Sequence, residues 1–207
     1  FSKAMKSKLG ILILASLGSM AQIKLGLKLA PVVAANRAKN DAQTVENDGS
    51  KMKFSVGLIA DKTLSDTYFL SSGLIYLPKR VAFRDATGTI EEEYKLQYLQ
   101  IPATLKLFTN EIAPDLKGFL QIGSALEILV FNEEEDPSYT TVEKFTPIDI
   151  PVILGAGVEF RAGINTTIFG GFSYQRGLVN AVNEAAAGAE DLQLRNTIFS
   201  IDLGVKF

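Results

Sequence analysis

Large apolar residues recur at every second position through most of this chain, and this period of two most constrains how it can fold. The clearest segment is IDIPVILGAGVEFR at residues 148–161, and the last ten residues, IFSIDLGVKF, repeat the pattern. Successive side chains of a β-strand point to opposite faces, whereas a helix repeats its apolar positions about every 3.6 residues. The alternation therefore predicts β-strands with one apolar face and one mixed face.

Eight alternating segments follow one another after residue 22, and several exceed the usual strand length of about 5 or 6 residues. A tilted strand needs about 9 to 11 residues to cross a bilayer. The predicted connections are long at 34–51, 78–93, 132–146 and 180–191, and shorter at 62–66, 109–117 and 162–165. Long loops at one end and short turns at the other are typical of an outer-membrane barrel. We therefore predict an all-β, eight-stranded, antiparallel up-and-down transmembrane β-barrel.

The less apolar face of these segments is rich in glycine and in charged residues. Small residues suit the crowded interior of an eight-stranded barrel, whereas a solvated exterior has no need of them. Interior charges must nearly balance, because an unpaired buried charge costs several kcal/mol. The register predicts these lumen-facing charges: Lys24, Lys28, Lys53, Asp61, Lys106, Glu127, Asp149, Glu159, Arg161, Asp202 and Lys206.

The first 21 residues have the three regions of a secretory signal peptide. Two lysines precede the apolar run LGILILASL at 9–17, and SMA at 19–21 supplies small residues around a cleavage site. The apolar run is too short to span a bilayer as a helix, and the alternative is a short buried helix. We predict a signal peptide at 1–21, with residues 1–4 preceding the initiator Met5, and a barrel domain at 22–207.

Composition argues against several classes of function. The chain has no cysteine and no histidine, so it lacks thiol chemistry and the commonest general base and metal ligand. Its formal net charge of -2 shows no basic excess for binding nucleic acid. Asp149 and Glu159 share a face but are too far apart along a strand to act as a carboxylate pair. We predict no enzyme activity, no cofactor, no metal and no nucleic-acid partner.

Three features leave alternatives open. The acidic segment at 132–138 could bind a divalent cation, although a solvated loop tip is the favoured interpretation. Pro102 and Pro151 lie mid-strand, where we expect a bulge or a carbonyl bonded to water or to a side chain. Five aromatic residues near strand ends fit either interfacial girdles or ordinary strand composition: Tyr68, Tyr76, Tyr94, Phe145 and Tyr174.

Several segments resemble the outer-membrane β-barrel domain family that includes the PorT-like proteins. YLQIPATLKLF at 98–108 resembles that family's YLEIPLLLK, and IDIPVILGAGVEF at 148–160 resembles FDFGLVLGAGVEF. FSYQRGLVN at 172–180 resembles RYSYGLTN, and the closing SIDLGVKF is similar to the terminal strand. This chain has Gln100 where the family often has Glu, and Pro151 where it often has Gly. The resemblance covers essentially the whole of 22–207 and implies an outer-membrane barrel, in many members without an established activity.

Outer-membrane barrels that resemble this chain carry a last strand with alternating apolar residues and a final aromatic, which the barrel assembly machinery recognises. The residues that fit this form are Phe199, Ile201, Leu203, Val205 and Phe207. The first and last strands are expected to pair and close the barrel.

The leading interpretation is an integral outer-membrane β-barrel protein of a Gram-negative bacterium, with a narrow, side-chain-filled lumen and long external loops. It predicts a structural or interaction role, with outer-membrane lipid, the assembly machinery and a protein at the external loops as partners. One alternative is a secreted, soluble, lipocalin-like barrel that holds a small apolar ligand. Another is a small-solute pore, which an interior filled by side chains disfavours.

Overall fold

The computed structural model describes residues 23–39, 46–47, 52–84, 91–134, 142–180, 182–185 and 193–207. The predicted signal peptide at 1–21 lies outside these residues and stays a prediction. Eight long strands form the barrel: β1 (Ile23–Lys39), β2 (Met52–Thr63), β3 (Tyr68–Arg84), β4 (Glu91–Ala113), β5 (Leu116–Glu134), β6 (Pro151–Arg161), β7 (Thr167–Gly177) and β8 (Gln193–Lys206). Shorter strands lie at Glu46–Asn47, Val142–Phe145, Ile148–Asp149 and Val182–Ala185. Among the described residues, no helix has the length and apolarity needed to cross a membrane.

Each long strand pairs antiparallel with its neighbours in sequence, and β1 pairs with β8 to close the sheet. The closing ladder runs from Gly26 opposite Lys206 to Lys39 opposite Gln193. A closed sheet has no free edge, so the backbone groups of every strand find partners on both sides. The predicted eight-stranded up-and-down barrel, with its first and last strands paired, is confirmed.

The strands are longer than the alternation of apolar residues predicted. β1 continues to Lys39, β3 to Arg84 and β5 to Glu134, all within segments that the sequence analysis predicted to be loops. Backbone pairing continues through polar positions, as where Arg84 lies opposite Glu91. The predicted boundaries were wrong because a ladder of main-chain hydrogen bonds does not need an apolar face once it leaves the lipid. Short turns still join the strands at one end of the barrel, and the long connections lie at the other.

The apolar row of each strand faces outward. On β6, Val152, Leu154 and Phe160 are exposed, whereas Ile153 is only 3% exposed and points inside. Across the barrel, buried Lys79, Gln100 and Glu127 contrast with exposed leucines, isoleucines and phenylalanines. This distribution is the inverse of that of a soluble barrel. The apolar exterior needs lipid, so the secreted lipocalin-like alternative is wrong.

Glycines on the inner face make room for aromatic rings on neighbouring strands. Phe119 lies opposite Gly157, and Phe169 lies opposite Gly204 in the ladder. A Cβ atom at position 157 would stand 2.7 Å from the Phe119 ring, closer than atoms pack. The glycines predicted on the less apolar face therefore let two phenylalanine rings fill the interior.

Prolines interrupt the ladders without shifting their register. Between β3 and β4, Ser72 pairs with Ala103 and Ile75 pairs with Gln100. The two intervening pairs, one of which would contain Pro102, are missing. At Pro151 the Ser124 hydroxyl donates a hydrogen bond of 2.8 Å to the proline carbonyl oxygen. A missing N–H thus removes local pairing only. The expectation of a bulge was wrong at both prolines, whereas the side-chain partner for a carbonyl is observed at Pro151.

Candidate functional site

Charged side chains on the inner face form a first group near the short turns, which we name the turn-end cluster. It comprises Asp61, Ser71, Lys106, Glu159 and Lys206, contributed by strands β2, β3, β4, β6 and β8. Each occupies an inward position of the alternation, so residues far apart in the chain meet at one height in the barrel. Asp61, Lys106 and Lys206 are almost completely buried.

Asp61 is the centre of the turn-end cluster. Its Oδ2 accepts hydrogen bonds from Lys106 Nζ at 2.9 Å and Lys206 Nζ at 2.7 Å, and its Oδ1 accepts one from Ser71 Oγ at 2.5 Å. Lys206 also donates to Glu159. Two ammonium groups therefore meet two carboxylates, and the charges cancel. This balance is what a buried ionic group needs to be stable.

Phenylalanine rings surround the ammonium groups of the turn-end cluster. Lys106 Nζ lies 5.5 Å from the centre of the Phe119 ring, and Lys206 Nζ lies 5.5 Å from that of Phe169. An ammonium within about 6 Å of a ring centre is attracted to the π-face. Lys106, Lys206 and Asp61 are almost completely buried, which strengthens the electrostatic attraction between them.

A second group, the loop-end cluster, lies further along the lumen toward the long connections. It comprises Lys79, Gln100, Glu127, Asp149 and Gln175. Lys79 donates to Glu127, whose other oxygen accepts a 2.7 Å hydrogen bond from Gln100 Nε2. Gln100 Nε2 also donates to Gln175 Oε1 at 2.7 Å. These contacts tie β3, β4, β5 and β7 together across the lumen.

Asp149 extends the loop-end cluster to the start of β6 and to β8. Its Oδ2 lies 3.6 Å from Lys79 Nζ and accepts a long, 3.5 Å hydrogen bond from Asn196 Nδ2. Its Oδ1 accepts hydrogen bonds from the backbone N–H groups of Ile150 at 2.8 Å and Val179 at 3.4 Å. The carboxylate thereby fixes the points where the chain enters β6 and leaves β7.

A row of connected polar side chains and a small cavity lie between the two clusters. Lys28 Nζ lies 2.9 Å from Asp202 Oδ2, and Ser200 Oγ donates to Asp202 Oδ1 at 2.8 Å. The cavity has a volume of about 30 Å³ and is lined by residues that include Lys28, Gln100 and Lys106. That volume holds one or two water molecules. The described lumen is therefore filled by side chains.

Apolar side chains surround the loop-end cluster and continue beyond it toward the long connections. Leu77 and Ile198 are buried at the level of the cluster and Leu96 is buried further along, where the rings of Tyr94 and Phe145 pack edge to face with centres 5.2 Å apart. Tyr94 and Phe145 are therefore part of the interior and not of an outer aromatic girdle. The other three aromatic residues near strand ends differ from them: Tyr68 and Tyr76 are exposed, and Tyr174 packs against exposed Phe199.

The structure separates the eleven charges expected to face the lumen into three groups. The buried ones are Asp61, Lys106, Glu127, Asp149, Asp202 and Lys206, and the half-buried ones are Lys28, Lys53 and Glu159. Lys24 and Arg161 are exposed at the turn end, where they line an open pocket of about 80 Å³. Both lie at the ends of their strands, where the wall stops. Lys24 and Arg161 continue the inward rows of their strands, but at the mouth of the barrel they are exposed.

Sequence reasoning missed Lys79, Gln175 and Asn196. Lys79 fell inside the predicted loop at 78–93, yet it continues the inward row of Ile75 and Leu77 on β3. A charge at the next alternating position was the available signal. Gln175 and Asn196 carry no charge, so the pattern of lumen charges could not reveal them.

The apolar row of β8 lies on the outside of the barrel. Phe199, Ile201, Leu203 and Phe207 are exposed, and Val205 is half-buried opposite Leu27 of β1. These positions face lipid, and their recognition by the assembly machinery stays a prediction. Residues 135–138 of the acidic segment lie outside the described residues. In the part of the chain that the structure describes, no group of three or more His, Cys, Asp or Glu residues is placed to hold a metal ion.

The family follows from the sequence profile of the outer membrane protein beta-barrel domain, which matches residues 18–183. The chain belongs to this family, and its place is the outer membrane of a Gram-negative bacterium. The predicted outer-membrane β-barrel domain family and the predicted location are confirmed, whereas the resemblance to its PorT-like members stays a prediction. A comparison with curated proteins gives no match.

Solved structures of similar fold are outer-membrane barrels. Neisserial surface protein A is 15% identical, covers 90% of this chain and 97% of its own, and has a TM-score of 0.52. Ail of Yersinia pestis, solved with the heparin analogue sucrose octasulfate, is 12% identical over 89% of this chain and 97% of its own, with a TM-score of 0.43. The outer membrane enzyme PagL is 12% identical over 87% of this chain and 98% of its own, with a TM-score of 0.42. The similarity to the neisserial protein supports the barrel fold.

Proposed function

We propose that this protein is a closed outer-membrane scaffold that presents its long connections to a protein partner outside the cell. The observation that carries the proposal is the filled lumen, in which the loop-end and turn-end clusters flank a cavity of about 30 Å³. A barrel with this interior supplies a rigid support and no route for solutes. Work at a rigid scaffold is usually done by the connecting loops. The proposal includes no catalytic step, in keeping with a sequence that lacks His and Cys.

We expect the purified barrel to conduct no ions across a planar lipid bilayer. Lys79, Glu127 and Asp61 hold ion pairs across the lumen, and breaking a buried pair costs about 3 to 5 kcal/mol. The measurement is single-channel current in concentrated KCl, with protease protection used to show that the barrel is inserted. Stable, repeated conductance steps from the inserted wild-type protein would favour the small-solute pore.

The external connections are expected to carry the partner site. Replacing residues 135–138, which follow β5, with a short Gly-Ser linker should abolish cross-linking of the partner on intact cells. The matched control replaces the tight turn at 162–165, which lies at the opposite end of the barrel. Both variants should keep the heat-dependent gel mobility of a folded barrel. Equal cross-linking by the wild type and by variants of each long connection would contradict a role for the loops.

We also propose that the barrel assembly machinery recognises the outward-facing apolar residues of β8. Phe207→Ser should then lower the amount of protein in the outer membrane, while protein refolded in detergent stays nearly as stable as the wild type. Phe172→Ser is the matched control, since Phe172 is an exposed aromatic residue on β7. Immunoblots of membrane fractions measure the first effect and urea titration the second. Equal membrane levels of the two variants would count against the proposal.

A further inference from the structure

The mouth of the barrel at the turn end contains an open pocket that the proposed function does not use. Its volume is about 80 Å³, and every residue that lines it belongs to the described part of the chain. A water molecule needs about 10 to 15 Å³ of such space, so the pocket has room for roughly five to eight waters. The short turns of an outer-membrane barrel face the periplasm. The pocket can therefore take the end of a small periplasmic molecule.

An ion pair lies at the inner end of this pocket. Lys206 of β8, which is almost completely buried, and Glu159 of β6 both line it. An ammonium group carries three N–H donors, and among the described residues Lys206 donates to Asp61 and Glu159. Glu159 accepts its hydrogen bond at Oε1, and no described residue donates to its Oε2. The inner end of the pocket thus offers one hydrogen-bond donor beside one carboxylate oxygen.

The charges around the pocket are balanced. Four basic and four acidic side chains line it, so the pocket favours neither a simple anion nor a simple cation. At its rim, Arg161 Nη1 lies 3.7 Å from Asp115 Oδ1, and both side chains are more than half exposed. Such an exposed pair contributes little stability and does not hold the rim closed. A ligand that carries both charges can use the donor and the acceptor at the inner end together.

Two aromatic rings give the pocket an apolar wall. Phe69 of β3 and Phe108 of β4 both line it, and their ring centres lie 4.9 Å apart in an edge-to-face arrangement. Lys206 Nζ lies 5.9 Å from the centre of the Phe108 ring, so this wall is next to the ion pair. Aliphatic carbon gains free energy when it leaves water for such a surface. The wall therefore suits a ligand with aliphatic carbon directly beside its charged groups.

We propose that this pocket binds the head group of an α-amino acid, with the ligand carboxylate on Lys206 and the ligand ammonium on Glu159. In that head group both charged groups are attached to the same carbon atom, which matches a donor and an acceptor that belong to one ion pair. Phe69 and Phe108 then contact the first aliphatic carbons of the ligand. A free amino acid and a larger molecule that ends in this head group share the same chemistry. The inference is independent of the protein partner proposed for the long connections.

Titration calorimetry of the refolded barrel tests this site with L-alanine, propionate and ethylammonium as probes. Propionate lacks the ammonium group of alanine and ethylammonium lacks its carboxylate, so each should bind at least about tenfold more weakly than alanine. Thr167 lines the pocket, and Thr167→Phe should weaken alanine binding at least about tenfold by filling the space without removing a charge. Asn165→Phe, at an exposed position outside the pocket, is the matched control and should bind as the wild type does. Heat-dependent gel mobility shows that both variants are folded.

Glu159→Gln tests the contact with the ligand ammonium. The substitution removes the acceptor's charge, so alanine binding should fall to the level of propionate binding in the same variant. This ratio does not depend on how stable the barrel is, because both probes meet the same folded protein.

γ-Glutamylglycine, which carries the same head group at the end of a longer chain, separates the two sources of ligand. Tighter binding than that of alanine would support the proposal with a larger molecule as the ligand, and equal or weaker binding would support it with a free amino acid. Three results would overturn the proposal: no binding of alanine by the wild type, equal binding of alanine and either single-charge probe, or unchanged alanine binding by folded Thr167→Phe.

Discussion

Asp61→Asn is expected to lower the free energy of unfolding by about 3 to 5 kcal/mol, because removal of one partner leaves a buried charge without compensation. Asp61 is fully buried and accepts hydrogen bonds from the ammonium groups of Lys106 and Lys206. Lys206 keeps Glu159 after the substitution, whereas Lys106 loses the carboxylate that it contacts. Urea titration of the barrel in phospholipid vesicles, followed by gel mobility, measures the change.

A matched control for Asp61 is Asp115→Asn at the same end of the barrel. Asp115 is half exposed and lies 3.7 Å from Arg161 Nη1, so its removal should cost no more than about 1 kcal/mol. Adding Lys106→Met to Asp61→Asn should recover part of the lost stability, because the unpaired ammonium group is then gone. A single Asp61→Asn variant as stable as Asp115→Asn would refute the central role of this carboxylate.

Leu203→Arg should destabilise the barrel by about 2 to 4 kcal/mol, the cost of an arginine at the bilayer midplane on the lipid face. Leu203 is 50% exposed on β8 and lies midway between exposed Phe199 and Phe207. Its partner in the ladder is Leu29 of β1, so the new charge would also lie at the closing seam. The measurement is again unfolding in vesicles, together with the amount of protein recovered from the outer membrane.

The control for Leu203→Arg also replaces an aliphatic residue with arginine, but at a position that is exposed to water. Ile164 is completely exposed at the tip of the turn between β6 and β7, so Ile164→Arg should change stability little. If Leu203→Arg folds without detergent or lipid and is as stable as the wild type, the wall of β8 does not face lipid.

The strands and their outward faces were readable from the sequence, because a period of two is a local property of the chain. Ile148, Val152 and Leu154 alternate with Asp149 and Gly155, and that pattern separates an apolar row from a mixed row. The asymmetric loop lengths and the glycines of the mixed row then assigned the apolar row to lipid. Strand ends were less readable, since main-chain pairing continues past the apolar rows to Lys39 and Arg84. The alternation could not predict how the sheet accommodates Pro102 and Pro151, because it says nothing about the strand that pairs with each proline.

Only the tertiary structure decided which charges meet. Lys206 and Asp61 are separated by 145 residues, and the register of several ladders around the barrel brings them within 2.7 Å. The sequence placed both in the lumen but could not give their heights, which depend on strand tilt and stagger. The same closure of the sheet places Lys79, which lies in a predicted loop, in an ion pair with Glu127. It also leaves Lys24 and Arg161 exposed at the open mouth of the barrel. Side-chain direction follows from neighbouring residues, whereas the pairing of charges across a lumen follows from how the whole sheet closes.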